Sequence, residues 1–508
     1  MPKISKSGIG CFARNKRGNV AILFGLAIIP MVLAIGAAVD YGRALMVRER
    51  MADAADASAL AIGSWTNLTE AEMKAKAQQY FDANYSTSSI GSPSAIKVSF
   101  PGDDIIVSVS GTVPTTFMRL ANINSVDVGA SATVTKRQRN IELALVLDTT
   151  GSMDRDGKMS SMQSAAKAMV KELFGANNTS DTLTVAVVPF AGAVNVGSDN
   201  KSKSWIDKNA QSKVAQEDFG SGVKAFDLYD DIKKGWSWAG CVRERSGSAY
   251  ELTDATPGTG DSLFAPYLAP DEPDEDYADD DDYDNSYIED DQCGQSKKKK
   301  RTPAACQKYT GKYNGFKKDD SRAAGPNWNC PPAAITALSN SKSTVTSAIS
   351  ALEPNGFTVI PAGLLWGWRV LSPGEPFAEG KPYDENERVK AIVLLTDGTN
   401  EVGSPNYNQN GSAYNAFGFA AKGHLGVTNG SGAYKELNSK AATVCSNIKA
   451  KGILIYTIGF RVTDTTTQNL LKNCATKPDM YYNSPSNSQL AAIFNDIALG
   501  LSELRIAY

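Results

Sequence analysis

Apolar and polar positions follow three rhythms along the chain. From Val20 to Val39, VAILFGLAIIPMVLAIGAAV, no charge interrupts 20 positions, a length that at about 1.5 Å per residue matches a bilayer core. No amphipathic period runs through it, so the pattern predicts a membrane-spanning helix rather than a buried soluble one. Beyond it, ALMVRERMADAADASALAIG holds strong helix formers and no proline, which extends the predicted helix to about Ile62. The alanines Ala52, Ala54, Ala55, Ala57, Ala59 and Ala61 would let another helix approach closely, and ordinary helix propensity explains them equally well. A second helix is predicted over Asn67–Asn84. Alternating stretches follow at Ile96–Phe100, Ile105–Val109 and Val126–Val134, with Gly and Pro between them, the mark of a small α+β region.

From Ile141 the rhythm changes to continuous apolar runs, IELALVL, LTVAVV, AIVLL and ILIYTIGF, separated by helical stretches such as Met159–Phe174 and Tyr434–Lys449. Such alternation predicts a doubly wound, mostly parallel α/β sheet covered on both faces. Two segments break it. The larger, about 190–330, carries Trp205, Trp236, Trp238 and Trp328 and the acidic tract Asp271–Asp291, followed by Lys297–Arg301. That tract lacks the order and central glycine of an EF-hand and reads as a solvated, self-repelling loop. The smaller, 401–432, is rich in Gly, Asn, Ser and Tyr. The expected organisation is a basic tail (1–19), a span (20–39), a helical extension (40–64), the small α+β region (65–138) and the α/β domain (139–508) with these two insertions.

Charge sets the orientation. Lys3, Lys6, Arg14, Lys16 and Arg17 precede the span without an acidic residue, whereas Asp40–Asp56 mixes both signs. The positive-inside rule therefore places the amino terminus in the cytoplasm and the bulk outside it. A cleaved secretory signal is the rival reading, because Ala34, Gly36, Ala37 and Ala38 suit a peptidase. In an oxidising compartment six cysteines form an even set, and we expect Cys445 with Cys474, Cys241 with Cys330, and Cys293 with Cys306, leaving Cys11 on the cytoplasmic side. No CxxC or Cys-His spacing supports zinc. A net charge of −3 gives no reason to expect nucleic acid. The single histidine, His424, sits in Gly-rich surroundings that predict a solvated loop, and its solitude removes most imidazole-based catalysis.

Three loops carry candidate chemistry. IELALVL ends in Asp148-Thr149-Thr150-Gly151-Ser152-Met153, an Asp-x-Thr-x-Ser loop at the carboxyl end of a parallel strand, where open α/β sheets form ligand sites. A hard cation needs oxygen ligands, and one carboxylate with two hydroxyls supplies part of a shell. Thr358, just before a helical stretch, offers a third hydroxyl, and Asp397 ends the strand AIVLLTDG before Gly398. Asp148 and Thr150 could instead merely cap a turn. Nearby Asp154, Asp156 and Gly157 read as a loop feeding the Met159 helix.

In order and spacing these pieces resemble the metal-ion-dependent adhesion site of the von Willebrand factor A family, over roughly Asn140–Tyr508. The resemblance implies that Thr150, Ser152 and Thr358 touch a divalent cation, Mg²⁺ with Mn²⁺ or Ca²⁺ as alternatives, while Asp148 and Asp397 act directly or through water. Thr150 replaces the commoner serine and keeps its hydroxyl. Phe357 stands where many relatives carry glycine, which bears on the shape of that loop. A second resemblance covers the amino terminus: RGNVAILFGLAIIPMVLAIGAAVDYGRALMVRERMADAADASALA is similar to the TadG-like segment of tight-adherence (Flp) pilus assembly proteins. Cys474-Ala475 and then YYNSPSNSQLAAIFNDIA also look like the ending of such proteins.

Together the resemblances imply a single-pass protein of the bacterial inner membrane. It would serve Flp-type pilus assembly or adhesion without catalysis, taking an acidic side chain of a pilus or envelope partner. The alternative is a structural envelope tether whose A domain is a scaffold. An enzymatic reading lacks a base beside Ser152 or Thr150.

Overall fold

The computed structural model describes residues 18–63, 65, 68–85, 91–102, 104–135, 137–232, 236–272, 285–288, 302–314, 325–385, 387–403, 410–427 and 430–507. Cys11, Cys293, the basic tail and most of the acidic tract lie outside them. The chain forms two compact units, Met1–Arg137 with the last three residues, and Gln138–Arg505.

In the first unit, helix α1 (Gly18–Gly63) runs unbroken through Pro30 for 46 residues. Among the described residues it is the helix long and apolar enough to cross a membrane. Its later half buries Ala44, Val47, Met51, Ala54, Ala55, Ala59 and Ile62, so the small side chains are used for close packing. Helix α2 (Glu70–Asn84) starts three residues later than the pattern predicts. The cause is local: Thr69 and Glu72 form a reciprocal capping box, the Glu72 amide donating to Thr69 Oγ1 at 3.3 Å and the Thr69 amide to Glu72 Oε2 at 2.8 Å. A four-stranded antiparallel sheet follows, from β1 (Ser92–Pro93), β2 (Lys97–Ser99), β3 (Asp104–Pro114) and β4 (Ser125–Thr135). β4 pairs with β3 along its whole length, and β3 turns Ile105, Val107, Val109 and Val113 inward with period two.

The second unit is built on β5 (Asn140–Asp148), β6 (Leu183–Phe190), β7 (Thr336–Ser339), β8 (Arg388–Thr396), β9 (Leu454–Phe460) and β10 (Tyr481–Ser484), in the order β7-β6-β5-β8-β9-β10. All pairs are parallel except the edge strand β7 on β6. This is the doubly wound, mostly parallel α/β fold with a long disulfide-containing insertion. Alternate residues of β5 feed opposite cores: Ala144 and Val146 one, Leu143, Leu145 and Leu147 the other. The second core is covered by α3 (Lys158–Phe174), α4 (Lys342–Ser350) and the carboxyl-terminal α8 (Asn487–Arg505). Against the first lie α5 (Ile360–Arg369), α6 (Gly430–Ala450) and the insertion, with α7 (Thr465–Cys474) joining β9 to β10.

All ten residues of α5 are buried, because the insertion roofs it. Beneath, α5 approaches the sheet at two glycines: a Cβ on Gly363 would stand 2.6 Å from Phe190, and one on Gly367 2.4 Å from Val146. Above, Trp366 packs against Phe264 of the insertion with ring centroids 4.9 Å apart. The two insertions share one core: the Ala416 amide donates to Gly192 O at 2.7 Å and Glu244's to Ala416 O at 2.8 Å. Cys241–Cys330 closes the large insertion and Cys445–Cys474 ties α6 to α7. Cys306 is also disulfide-bonded.

Two local expectations are corrected. His424 is no solvated loop residue: its side chain is 10% exposed, with Nδ1 3.3 Å from Glu217 and its ring against Phe417. The acidic tract does not begin in water either. Asp271 and Glu272 are fully buried, Asp271 against the Lys312 ammonium, which is buried as well.

Candidate divalent-cation site

The strand order places the site. β5 and β8 are neighbours, but β5 connects onward to β6 on its other side, so the chain reverses direction between them and leaves a crevice at their carboxyl ends. Asp148 is the last residue of β5, and Asp397 follows the last residue of β8. The Thr358 loop is held against them by backbone bonds: the Gly151 amide donates to Gly356 O at 2.9 Å, and the Asn355 amide to Thr149 O at 2.7 Å. Gly356 needs its glycine, with φ of +77° and Asn329 about 3.1 Å from where a Cβ would sit. Phe357 is accommodated by the insertion, its ring edge-on to Trp328 at 6.0 Å.

Four of the five candidate side chains form one hydrogen-bonded chain. Asp148 Oδ1 accepts from the Thr150 amide at 2.9 Å and from Thr150 Oγ1 at 2.6 Å. Thr150 Oγ1 lies 3.0 Å from Ser152 Oγ, and Ser152 Oγ donates to Asp397 Oδ1 at 2.6 Å. Thr358 is buried beside them, its Oγ1 3.9 Å from the position of a Cβ on Gly398. Two carboxylates and three hydroxyls thus meet at one edge, an all-oxygen set suited to a hard cation. No cluster of three or more His, Cys, Asp or Glu gathers among the described residues.

The electrostatics fit a cation. Asp148 is fully buried, and burial together with the Asp397 charge pushes its carboxyl up to about 7, against the hydrogen bonds from Thr150 and Thr396 that favour the anion. A bound divalent charge would reverse that balance.

Three residues that complete the site escaped the sequence reading. Lys158 donates to Asp397 Oδ2 at 2.6 Å through a side chain only 14% exposed. It is the first residue of α3, where the helix dipole disfavours a positive charge, and that misplacement was a readable signal. Thr396 Oγ1 donates to Asp148 Oδ2 at 2.6 Å and fixes the carboxylate's rotation. Asn400 Oδ1 caps α5 through the Ile360 amide at 2.8 Å, while its Nδ2 donates to Asn438 of α6 at 2.7 Å, bracing the Thr358 loop. Asp154 and Asp156 stay on the exposed rim, and Asp156 pairs with Arg461 at 3.2 Å.

Several solved structures are similar to this chain at low identity. The pilus adhesin SpaC from Lactobacillus rhamnosus GG is 12% identical, with a TM-score of 0.34, over 81% of this chain and 34% of the adhesin. This chain therefore spans about a third of that adhesin's length. The vWF domain of the type V pili tip protein Mfa5 from Porphyromonas gingivalis is 11% identical, with a TM-score of 0.35, over 73% of this chain and 98% of that domain. Proximal thread matrix protein 1 from the mussel byssus, with a zinc-occupied MIDAS motif, is 14% identical, with a TM-score of 0.29, over 73% of this chain and 47% of its own. No curated protein matches the chain. The match to a family lies in helix α1: residues 18–63 fit the family described as "Putative Flp pilus-assembly TadE/G-like".

Proposed function

We propose that this chain is a membrane-anchored envelope protein of Flp-type pilus assembly or adhesion, whose second unit binds a protein partner through a divalent cation, Mg²⁺ in the first instance. One observation carries the reading: Asp148, Thr150, Ser152, Thr358 and Asp397 arrive from three separate loops at the switch point of the sheet, four of them linked by hydrogen bonds. When bound, the cation supplies an electron-poor centre, since most of its protein donors are neutral hydroxyls, and it retains a coordination position for a partner's carboxylate. The chain's own part is to orient the donors: Thr396 holds Asp148, and Asn400 holds the Thr358 loop.

The anchor and the disulfides support the location. α1 can span a membrane, its segment fits the pilus-assembly family, and Cys241–Cys330 and Cys445–Cys474 suit an oxidising compartment outside the cytoplasm. We read the site as non-enzymatic. Thr150 and Ser152 are used as cation ligands rather than as nucleophiles, and the chain's one histidine pairs with Glu217 rather than with any of the five residues.

The test is capture of partners from envelope extract by detergent-solubilised full-length protein. Wild type is expected to retain an interacting protein in Mg²⁺ and release it in chelator, and Asp397→Ala to retain none in either. Capture that ignores both chelator and substitution would leave the second unit a scaffold.

A further inference from the structure

In the first unit, packing against α1 begins well inside the uncharged stretch. Buried or half-buried positions recur at Leu33, Gly36, Ala37, Asp40, Ala44 and Val47, one helical stripe that starts several residues before the first charge. What packs there is the connection between β3 and β4, residues 115–124. A Cβ on Gly36 would stand 2.4 Å from the Cβ of Phe117, and Leu120 shares an apolar recess with Ile28, Ile29, Val32 and Leu33. Ile29 precedes Asp40 by 11 residues, which at about 1.5 Å per residue puts Leu120 more than about 10 Å below the charged end of the stretch. The apolar run cannot slide to lift it out of the membrane, because Lys16 and Arg17 bound its other end and a bilayer core needs about 20 residues.

Backbone in a hydrocarbon environment needs its polar groups satisfied internally, and most amides of the connection are. The Asp40 carboxylate accepts from the amides of Thr116, Phe117 and Met118 at 3.0, 2.7 and 2.7 Å. The amides of Leu120, Asn122 and Ile123 donate to Phe117 O, Arg119 O and Met118 O at 3.0 to 3.1 Å. Arg43 donates to Thr116 Oγ1 at 2.8 Å and pins the connection to the helix a second time. Three large apolar side chains stand out from it, Phe117 38% exposed, Leu120 75% and Ile123 44%, beside the polar Thr116, Asn122 and Asn124. Arg119 is the charge among them, and its long apolar stem lets the guanidinium snorkel toward the interface.

We propose that residues 115–124 form a wedge that enters the outer leaflet of the membrane α1 spans, so that the first unit holds the bilayer at two points. The lipid is the occupant because the exposed side chains continue the apolar surface of the span itself. A lone helix is free to roll; a helix with a wedge fixed to its side has one preferred roll and depth. The proposal rests on the spanning reading of α1.

Spin labels on full-length protein in phosphatidylcholine–phosphatidylglycerol vesicles test it. Cysteines replace Leu120, Ile123, Ile29 or Lys97 in a Cys11→Ser background, and collision with dissolved oxygen is compared with collision with a water-soluble nickel chelate. Ile29→Cys reports the span, and Lys97→Cys the aqueous face. The expected result is that Leu120→Cys and Ile123→Cys match Ile29→Cys, favouring oxygen, while Lys97→Cys favours nickel. Nickel-favouring labels at both wedge positions with an oxygen-favouring Ile29→Cys overturn the wedge and leave the span standing. Nickel-favouring labels at all three sites overturn both. Protection from both reagents at Leu120→Cys and Ile123→Cys shows a covering helix from a partner or second copy, and overturns lipid as the occupant.

Discussion

Two groups of buried acids in the second unit are balanced differently. Within and beneath the insertion, several are matched by a permanent cation. Arg243 reaches Glu217 and Asp218, Arg369 reaches Glu244 at 2.8 Å, and Lys312 reaches Asp271, all on side chains that are nearly or fully buried. At the carboxyl edge of the sheet, Asp148 and Asp397 share three hydroxyls and one lysine, and that lysine lies at the rim. Those pairs carry their own positive charge; the edge is short of it. This contrast separates a structural cluster from one suited to a mobile cation.

The largest effect is expected where the balance is internal. Arg243→Ala takes the guanidinium from buried Glu217 and Asp218, and should cost about 3–5 kcal/mol in denaturant unfolding with no dependence on divalent cations. Next, replacing Cys445 and Cys474 together by serine should cost about 2–4 kcal/mol, again independent of cation. At the edge, the ranking passes to ligand. Mg²⁺ at about a hundred times its dissociation constant should raise stability by about 2.7 kcal/mol in wild type, and Asp148→Asn with Asp397→Ala should abolish the gain. Equal stabilisation of that double variant would dissolve the contrast.

Smaller still is the effect of Lys158, whose ammonium lies against one of the candidate ligands. Lys158→Met should bind Mg²⁺ roughly tenfold tighter, about 1.4 kcal/mol, as read by calorimetric titration. Weaker binding would make the lysine part of the site rather than a competitor for it. The pH dependence follows from Asp148. Its folded carboxyl is raised from 3.8 to about 7, so its contribution is full below 3.8 and is lost as pH climbs towards 7. Metal-free protein should therefore lose stability across that window by thermal unfolding, and saturating Mg²⁺ should flatten the loss.

What could be read in advance follows the range of the forces. The strands IELALVL and AIVLL announce themselves because parallel strands buried on both faces leave no polar alternation. The candidate ligands stand directly at the ends of those strands. Lys158 was missed because its partner Asp397 is 239 residues away, and only the strand order brings β8 beside β5. Asp271 and Glu272 read as solvated because the cation that admits Asp271 to the interior, Lys312, lies across 41 residues of unpatterned chain. His424 misled for the same reason: its neighbours Glu217 and Phe417 belong to a core shared by two insertions that sequence presents as separate loops. The late start of α2 was legible, since Thr69 and Glu72 spell a capping box, but the longer helical pattern masked it.

The central claim is that the carboxyl edge holds a divalent cation on residues from three loops, and calorimetric titration of Mg²⁺ into the full-length protein tests it most directly. The account predicts one saturable binding event in wild type and none in Asp397→Ala. No heat of binding in wild type, or the same event in the variant, would contradict it.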